Sequence, residues 1–461
     1  MAKFYVTTTL PYVNAEPHIG FAMEIIRADV LARMHKLLGD EVFFNTGTDE
    51  HGQKIYQKAM ESGQSPQKYC DEYAEKFREL TRELNIDKGV NFIRTTDKHH
   101  MEAAQEFWKR CEANGDIYKK VYKVKYCVGC EMEKTDSELV DGRCQFHPNK
   151  ELELLEEENY FFRFSKYQER LLELYKSNPR FVIPDFRQGE ITKFVEMGLQ
   201  DFSISRLKSK MPWGIGVPGD ETQVFYVWFD ALINYVSAIG WPKDKEKFEE
   251  YWPGVQVCGK DNLRQQTAMW QAMLQSAGLP NSKQILVGGF LTKDGQKISK
   301  SLGNTIDPVE WSRKYGVDAL RYYLLAEVSV FDDSDITTEG FERAYQAKLA
   351  NGIGNLSARV ATMAEKENLE IEEKKLQISK EVVEKIQDYR FDEAIKLIWN
   401  KIEEADIQIN KTELWKKTGE EKIRGLTELI NTLRQIGVDL QPFMPETAEK
   451  IITTFKSGVV A

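Results

Sequence analysis

Residues 3–48, KFYVTTTLPYVNAEPHIGFAMEIIRADVLARMHKLLGDEVFFNTGT, decide the fold. Lys3 to Leu10 is rich in β-branched and aromatic residues and reads as a strand. Pro11 to Pro17 is a loop. From about His18 to Leu38 the apolar residues Ile26, Val30, Met34 and Leu37 recur on one helical stripe, stopped by Gly39. Glu41 to Thr48 is a second strand. Ser65-Pro66 then opens another helix, with serine as cap and proline at the first position. Its predicted buried face carries Tyr69, Tyr73, Phe77, Leu80 and Leu84. Strand–helix–strand–helix alternation predicts a parallel α/β sheet.

From about Tyr118 to Ile204 the rhythm changes, with short strands, an Asp141-Gly142 turn and a cluster of cysteines. Strand signals return at Gln223 to Trp228, Val255 to Cys258 and Gln284 to Leu291, so the middle reads as an insertion within one sheet domain. After about Glu339 every segment reads as helix. One stripe is Tyr345, Leu349, Ile353, Leu356, Val360 and Met363. A second is Phe391, Ile395, Ile398, Ile402 and Ile409, and a third Ile423, Leu426, Ile430, Leu433 and Leu440. Near-heptad spacing in consecutive helices predicts an antiparallel bundle.

Composition sets outer limits. The 461 residues are 41% apolar and 30% charged, enough for large cores and about three domains. No apolar run approaches the ~18 residues of a membrane span, and the N-terminus has no basic stretch leading into an apolar signal segment. Lys plus Arg total 63 against 73 for Asp plus Glu, a net charge of −10, so any nucleic acid must be met by a local patch. Of the six cysteines (Cys70, Cys111, Cys127, Cys130, Cys144 and Cys258), three crowd into 18 residues. That is a metal-site distribution rather than a disulfide framework, and it fits a reducing, cytoplasmic setting.

Three motifs carry chemistry. Cys127-x2-Cys130-x13-Cys144-x2-His147 offers two close pairs of soft ligands across a hairpin, the spacing of a closed, structural, tetrahedral Zn²⁺ site. Coincidental buried thiols are the alternative. Pro17-His18-Ile19-Gly20-Phe21 lies between the first strand and its helix. There Gly20 admits a close ligand, the helix N-terminus favours phosphate, and His18 adds a donor. Lys297-Ile298-Ser299-Lys300-Ser301 puts two lysines and two hydroxyls on one loop that could meet charge on a polyphosphate. Taken singly, each of the last two is more often an ordinary turn. Their order in one chain gives them weight.

Further motifs accompany them: Leu10-Pro11-Tyr12-Val13-Asn14, Gly47-Thr48-Asp49-Glu50-His51-Gly52, Tyr226-Val227-Trp228-Phe229-Asp230-Ala231 and Gly259-Lys260-Asp261. Asn355-Leu356-Ser357-Ala358-Arg359 and Trp415 follow in the helical part. Over nearly its whole length the sequence resembles the class I aminoacyl-tRNA synthetases, and within them the methionyl-tRNA synthetase family. The resemblance implies a Rossmann-type parallel-sheet catalytic domain interrupted by a zinc-binding insertion and followed by an α-helical-bundle anticodon-binding domain. The expected ranges are 1–116 and 211–280 for the two halves of the sheet domain and 117–210 for the insertion. A stem-contact region with the lysine loop takes 281–340, and the bundle 341–461.

The implied reaction has two steps: methionine and Mg²⁺-ATP give methionyl-adenylate and pyrophosphate, and the aminoacyl group then passes to the terminal adenosine of tRNA(Met). His18, Gly20, Lys297 and Lys300 are the expected catalytic residues, and with Phe21 and Ser299 they line the ATP site. Asp49 matches the position that holds the substrate ammonium. Leu10, Tyr12, Trp228 and Tyr235 match positions around its side chain, where aromatic rings suit a thioether. Asn355, Arg359 and Trp415 match anticodon-reading positions, with Lys411, Lys416 and Lys417 near the tryptophan. Two departures stand out. Phe21 replaces the second histidine of the turn motif, and Gln266 takes the place of a common pocket histidine. A glutamine still offers a hydrogen bond.

Related readings remain. The isoleucine, valine and leucine enzymes carry a large editing insertion, because a hydrophobic pocket discriminates a methylene by only ~1–3 kcal/mol. Here the insertion of about 90 residues is taken by the cysteine cluster. A catalytically inactive tRNA-binding paralogue is favoured only by Phe21. The end at Ala461, without a further dimerising domain, leads to the expectation of a monomer.

Overall fold

The computed structural model describes residues 1–130, 132–134, 138–293, 295–298, 306–372 and 375–459. Strand β1 (Lys3–Thr8) leads into helix α1 (Ile19–Leu37) and returns through β2 (Glu41–Thr48). Helices α2 (Gln53–Glu61) and α3 (Pro66–Glu83), strand β3 (Asn91–Arg94) and helix α4 (Lys98–Ala113) follow. The six-stranded sheet runs β3, β2, β1, Val255–Gly259, Gln284–Gly288, Val182–Ile183, with every pair parallel. Strand order reverses at β1, so the crevice beyond its carboxyl end is the topological switch point where ligands of such sheets bind.

The expected stripe on α1 understates its burial. Ile19, Phe21, Ala22, Ile25, Ala28, Leu31 and Ala32 are buried along with Ile26, Val30 and Met34, while Leu37 is only half-buried. The helix is enclosed between the sheet and the helical part, packing on Lys380–Gln387 as well as on β1 and β2. A helix covered on both sides needs apolar residues all round.

Two expected boundaries move. Val182–Ile183, inside the insertion, is the edge strand of the parallel sheet, so the insertion closes back onto the domain it interrupts. Gln284–Gly288 is an inner strand of the same sheet, so the sheet domain does not end at 280. The strand expected over Gln223 to Trp228 is Asp220–Phe225; beyond Phe225, where its partner Ser205 ends the ladder, Val227–Ala231 coils into a short helix.

The insertion is built on a long antiparallel pair, Ile117–Cys127 with Glu153–Phe162. In the helical part, Tyr345–Gly354 is a widened π-type stretch broken at Gly352, so Tyr345 and Leu349 are only partly buried and the first stripe is not continuous. The second stripe is buried throughout. In the third, Ile423 is 42% exposed, one turn into its helix, while Leu426, Ile430, Leu433 and Leu440 are covered. The region is not wholly helical, since Glu370–Ile371 pairs antiparallel with Gly458–Val459.

Candidate active site

A cleft of 1690 Å³ opens at the carboxyl edge of the sheet. Leu10 and Tyr12 after β1, His18, Gly20 and Phe21 at the start of α1, and Asp49 after β2 all line it. Trp228, Tyr235 and Gln266 complete one wall. Segments scattered across the first 266 residues thus meet because the parallel strands all end on this side.

His18 is the N-cap of α1, in extended conformation, with Nδ1 accepting from the Gly20 N–H at 3.1 Å. An accepting Nδ1 leaves the ring proton on Nε2, so the imidazole presents a donor beside the positive end of the helix. A Cβ on Gly20 would lie 3.0 Å from His18 Cε1, so glycine lets the ring fold over the turn. Phe21 is 7% exposed and packs edge-on against Phe77 at 5.3 Å, so its ring serves the hydrophobic core and brings no polar group to a nucleotide.

The motif Asp49-Glu50-His51 separates into three directions. Asp49 is buried at the cleft, its backbone tied to the β1 loop by Asp49 N to Pro11 O at 3.0 Å and Val13 N to Asp49 O at 3.2 Å. Glu50 turns inward to Arg94, with Nε and Nη2 donating to its two carboxylate oxygens at 2.6 and 2.9 Å. His51 Nδ1 meets Asp230 Oδ2 at 2.6 Å, and Asp230 Oδ1 meets His100 Nε2 at 2.8 Å. Burial pushes the Asp230 carboxyl up, but the pull of His51 and hydrogen bonds from both imidazoles outweigh it and hold it below the ordinary carboxylate range.

The departure at Gln266 is held by a network. Gln266 donates from Nε2 to the Tyr235 hydroxyl at 2.6 Å, and its Oε1 accepts from Gln256 Nε2 at 3.1 Å. Ser282 Oγ donates to Gln256 Oε1 at 2.5 Å. Because the Tyr235 oxygen accepts here, its own hydrogen is available to a further acceptor. The indole of Trp228 is half-buried, and its N–H has no hydrogen-bond acceptor among the described residues.

Glu24 on α1 also faces the cleft, with Oε1 accepting from Thr9 N at 2.7 Å and Thr9 Oγ1 at 2.5 Å. Burial pushes its carboxyl up to about 8. Sequence reasoning missed it, although a lone acid in Met23-Glu24-Ile25-Ile26 was the available signal. His51, His100 and Asp230 were missed as a group because 130 residues separate His100 from Asp230.

Ser299 and Lys300 lie outside the described residues. The backbone of Lys297 ends a two-residue strand opposite Thr292, and the next residue of the loop, Ile298, lines the cleft.

Cys127, Cys130, Cys144 and His147 converge with all ligand atoms within 4.8 Å. Cys130 Sγ is 3.4 Å from Cys144 Sγ and 3.2 Å from His147 Nδ1, and Cys127 Sγ is 3.8 Å from His147 Nδ1. A tetrahedral Zn²⁺ sets such atoms roughly 3.5–3.8 Å apart, whereas a disulfide needs about 2.05 Å. Three thiols and an imidazole at these spacings fit the metal. The hairpin turn Asp141-Gly142 has positive φ at both residues, 51° and 74°, as a tight two-residue loop requires. Gly129, Cys130 and His147 line the far end of the same cleft, and Gln265 Nε2 reaches Met132 Sδ at 3.8 Å. The cluster, distant in sequence from the pocket, is its neighbour in space.

In the helical part Arg359 donates to Asp406 at 2.8 Å and Asn410 at 3.1 Å, and its guanidinium lies 5.9 Å from the Trp415 ring. Trp415 is 46% exposed and Asn355 is exposed on the same helix as Arg359. The basic neighbours are partly neutralised, since Lys416 pairs with Glu413 and Lys417 with Glu421.

Residues 4–151 and 133–361 match the family model described as tRNA synthetases class I (M), and residues 369–459 match the anticodon-binding domain of tRNA ligase. The chain is 42% identical to the methionine–tRNA ligase of Thermotoga maritima, over 97% of this chain and 74% of that one. To the methionine–tRNA ligase of Rickettsia bellii it is 38% identical, over 97% of this chain and 92% of that one. Among solved structures, methionyl-tRNA synthetase of Mycobacterium tuberculosis bound by methionyl-adenylate superimposes with a TM-score of 0.92 at 34% identity, covering 99% of this chain and 98% of that one.

Proposed function

The chain belongs to the methionine–tRNA ligase family of class I tRNA synthetases, and we propose that the cleft at the end of β1 joins methionine to ATP and then to tRNA(Met). In the first step a carboxylate oxygen of methionine attacks the α-phosphorus of ATP. The new P–O bond forms as the bond to the β-phosphate breaks, and pyrophosphate leaves. In the second step a hydroxyl of the terminal adenosine of the tRNA attacks the aminoacyl carbonyl and AMP leaves. Neither step needs a protein nucleophile; the work is orientation and stabilisation of charge on phosphoryl oxygens.

The residues divide that work. Asp49 receives the methionine ammonium. Leu10, Tyr12, Trp228 and Tyr235 enclose the side chain, with Gln266 behind Tyr235. His18 and the Gly20 turn hold phosphate at the N-terminus of α1, and Lys297, Ser299 and Lys300 add charge and hydrogen bonds to it, with Mg²⁺ entering bound to ATP. Phe21 contributes packing alone. Cys127, Cys130, Cys144 and His147 would hold one Zn²⁺, which when bound cross-links the hairpins that wall the far end of the cleft. Asn355, Arg359 and Trp415 read unstacked anticodon bases, where a stacked base contributes ~1–3 kcal/mol. Six cysteines without a disulfide support a reducing, cytoplasmic setting.

One observation carries this reading: His18, Asp49, Trp228 and Tyr235 open on a single cleft. Methionine-dependent exchange of pyrophosphate into ATP, without tRNA, tests it. His18→Ala should lower kcat by about 10²–10³, the usual loss for one preorganised donor. Asp49→Asn should raise the methionine KM sharply. Absence of exchange in zinc-loaded wild type would favour the inactive tRNA-binding paralogue, and exchange with valine, isoleucine or leucine in place of methionine would reassign the pocket. The monomeric state belongs to the same proposal; a sedimentation mass near twice 53.4 kDa would overturn it.

A further inference from the structure

Behind the cleft, the segment that carries Trp228 and Tyr235 is fastened to β1, to β2 and to the turn after β2 by three polar side-chain bridges. Tyr5 on β1 donates its hydroxyl to the Tyr235 carbonyl at 2.8 Å. Asn45 on β2 donates from Nδ2 to Asn234 Oδ1 at 3.3 Å. Nearest the pocket, His51 meets Asp230 at 2.6 Å. His51 is two residues beyond Asp49, and Asp230 two residues beyond Trp228.

Asp230 and His100 are fully buried and His51 is 4% exposed. Neither His51 nor Asp230 lines the cleft. A carboxylate with no contact to water is costly unless its oxygens are paired, and here each oxygen takes one imidazole nitrogen. His100 is itself oriented by Ser237 Oγ, 2.9 Å from Nδ1, on the helix that carries Tyr235. The backbone around His51 is fixed independently: Trp213 Nε1 donates to the Glu50 carbonyl at 2.6 Å, and Gly52 N donates to the Trp213 carbonyl at 3.3 Å. The turn after β2 is thus held by hydrogen bonds to Trp213, and the Asp230 bridge links it to the Trp228 helix.

We propose that His51, Asp230 and His100 are positioning residues that set the span between Asp49 and Trp228, and so the fit of the amino-acid substrate between its ammonium and side-chain contacts. This rests on the assignment of Asp49 and Trp228 to the methionine site. The three residues touch no substrate. They act by holding two walls in register, so they govern methionine binding and leave nucleotide binding alone.

Pyrophosphate-exchange kinetics on the zinc-loaded full chain test this. Asp230→Asn should raise the methionine KM about tenfold with the ATP KM within twofold of wild type. His51→Ala should do the same, while His51→Asn, which places an amide N–H where Nδ1 stood, should restore the methionine KM to within about threefold. Unchanged methionine KM in Asp230→Asn and His51→Ala overturns the proposal. So does a parallel rise of both KM values, or a fall in kcat alone, because general loosening would produce those. Should Asp230→Asn not fold, the His51 pair decides by the same criteria. Asp49→Asn separates the underlying assignment: a methionine KM unmoved there refutes the placement of the site, whatever the Asp230 variants do.

Discussion

Glu24 keeps a proton that the unfolded chain would release. Burial beside Thr9 raises its carboxyl from the ordinary 4.5 to about 8, despite the hydrogen bonds from Thr9 and the charge of Arg27. The protonated form suits the geometry, since both Thr9 donors converge on one oxygen. The folded pKa is the higher one, so the contribution to stability is complete below about 4.5 and is lost as pH rises through about 8. Glu24→Gln preserves the accepting oxygen and removes the titration. Ligand-free Glu24→Gln should match wild type near pH 4.5 and exceed it above pH 8, by about 5 kcal/mol. Parallel Tm–pH curves for the two proteins would refute this. At the same scale, Phe21 and Gln266, the two positions where the resemblance leads one to expect a histidine, differ in what holds them. One position turned to the core against Phe77, and the other stayed polar because Gln256 and Ser282 hold it.

Among the elements, the cysteine hairpins depend most on a single backbone detail. A Cβ on Gly129 would lie 2.5 Å from His147 Cγ, so the approach of Cys130 to His147 requires a glycine between the two first cysteines. Gly129→Ala should push the imidazole away and weaken zinc retention by tenfold or more, measured by transfer to a chromogenic chelator. Wild-type retention would mean the site is not closed by His147. Since Met132 touches Gln265 and Arg264 pairs with Glu138 at 3.6 Å, loss of metal should also loosen the wall next to Gln266. The helix α1 supplies the opposite case. Its N-cap is the His18 side chain itself, so one residue both ends the loop and presents the donor.

Across the whole molecule, the sheet and the helical part share one hydrophobic core, and a buried ion pair crosses it. Arg321 on Val317–Tyr322 meets Asp29 of α1 at 2.7 Å, both fully buried, and donates to the carbonyls of Phe443 and Pro442 at 2.7 and 3.0 Å. Asp29 also accepts from Arg33 and from the Asp87 N–H. Helix α1 is thereby bolted to the turn at 441–444, between the last two helices of the bundle. Arg321→Met leaves a buried carboxylate and two carbonyls short of donors and should cost about 3–5 kcal/mol, read as a lower denaturant midpoint. A change below about 1 kcal/mol would show that Arg33 and the Asp87 N–H suffice for Asp29.

Sequence alone determined the local periods and the donor sets. Alternating strand and helix patterns gave the parallel sheet, because side-chain period is a property of neighbouring residues. Cys127, Cys130, Cys144 and His147 were legible because metal ligands must be close in the chain to form hairpin knuckles, and His18-x-Gly20 because a cap is made within one turn. Tertiary structure decided everything that depends on segments meeting from afar. No pattern within the chain announces that Val182–Ile183 borders Gln284–Gly288, that Gln256 holds Gln266, or that Asp230 joins His51 to His100. Such contacts are fixed by where the sheet order sends each strand end, and a polar residue's partner exists only once burial has removed water as the alternative.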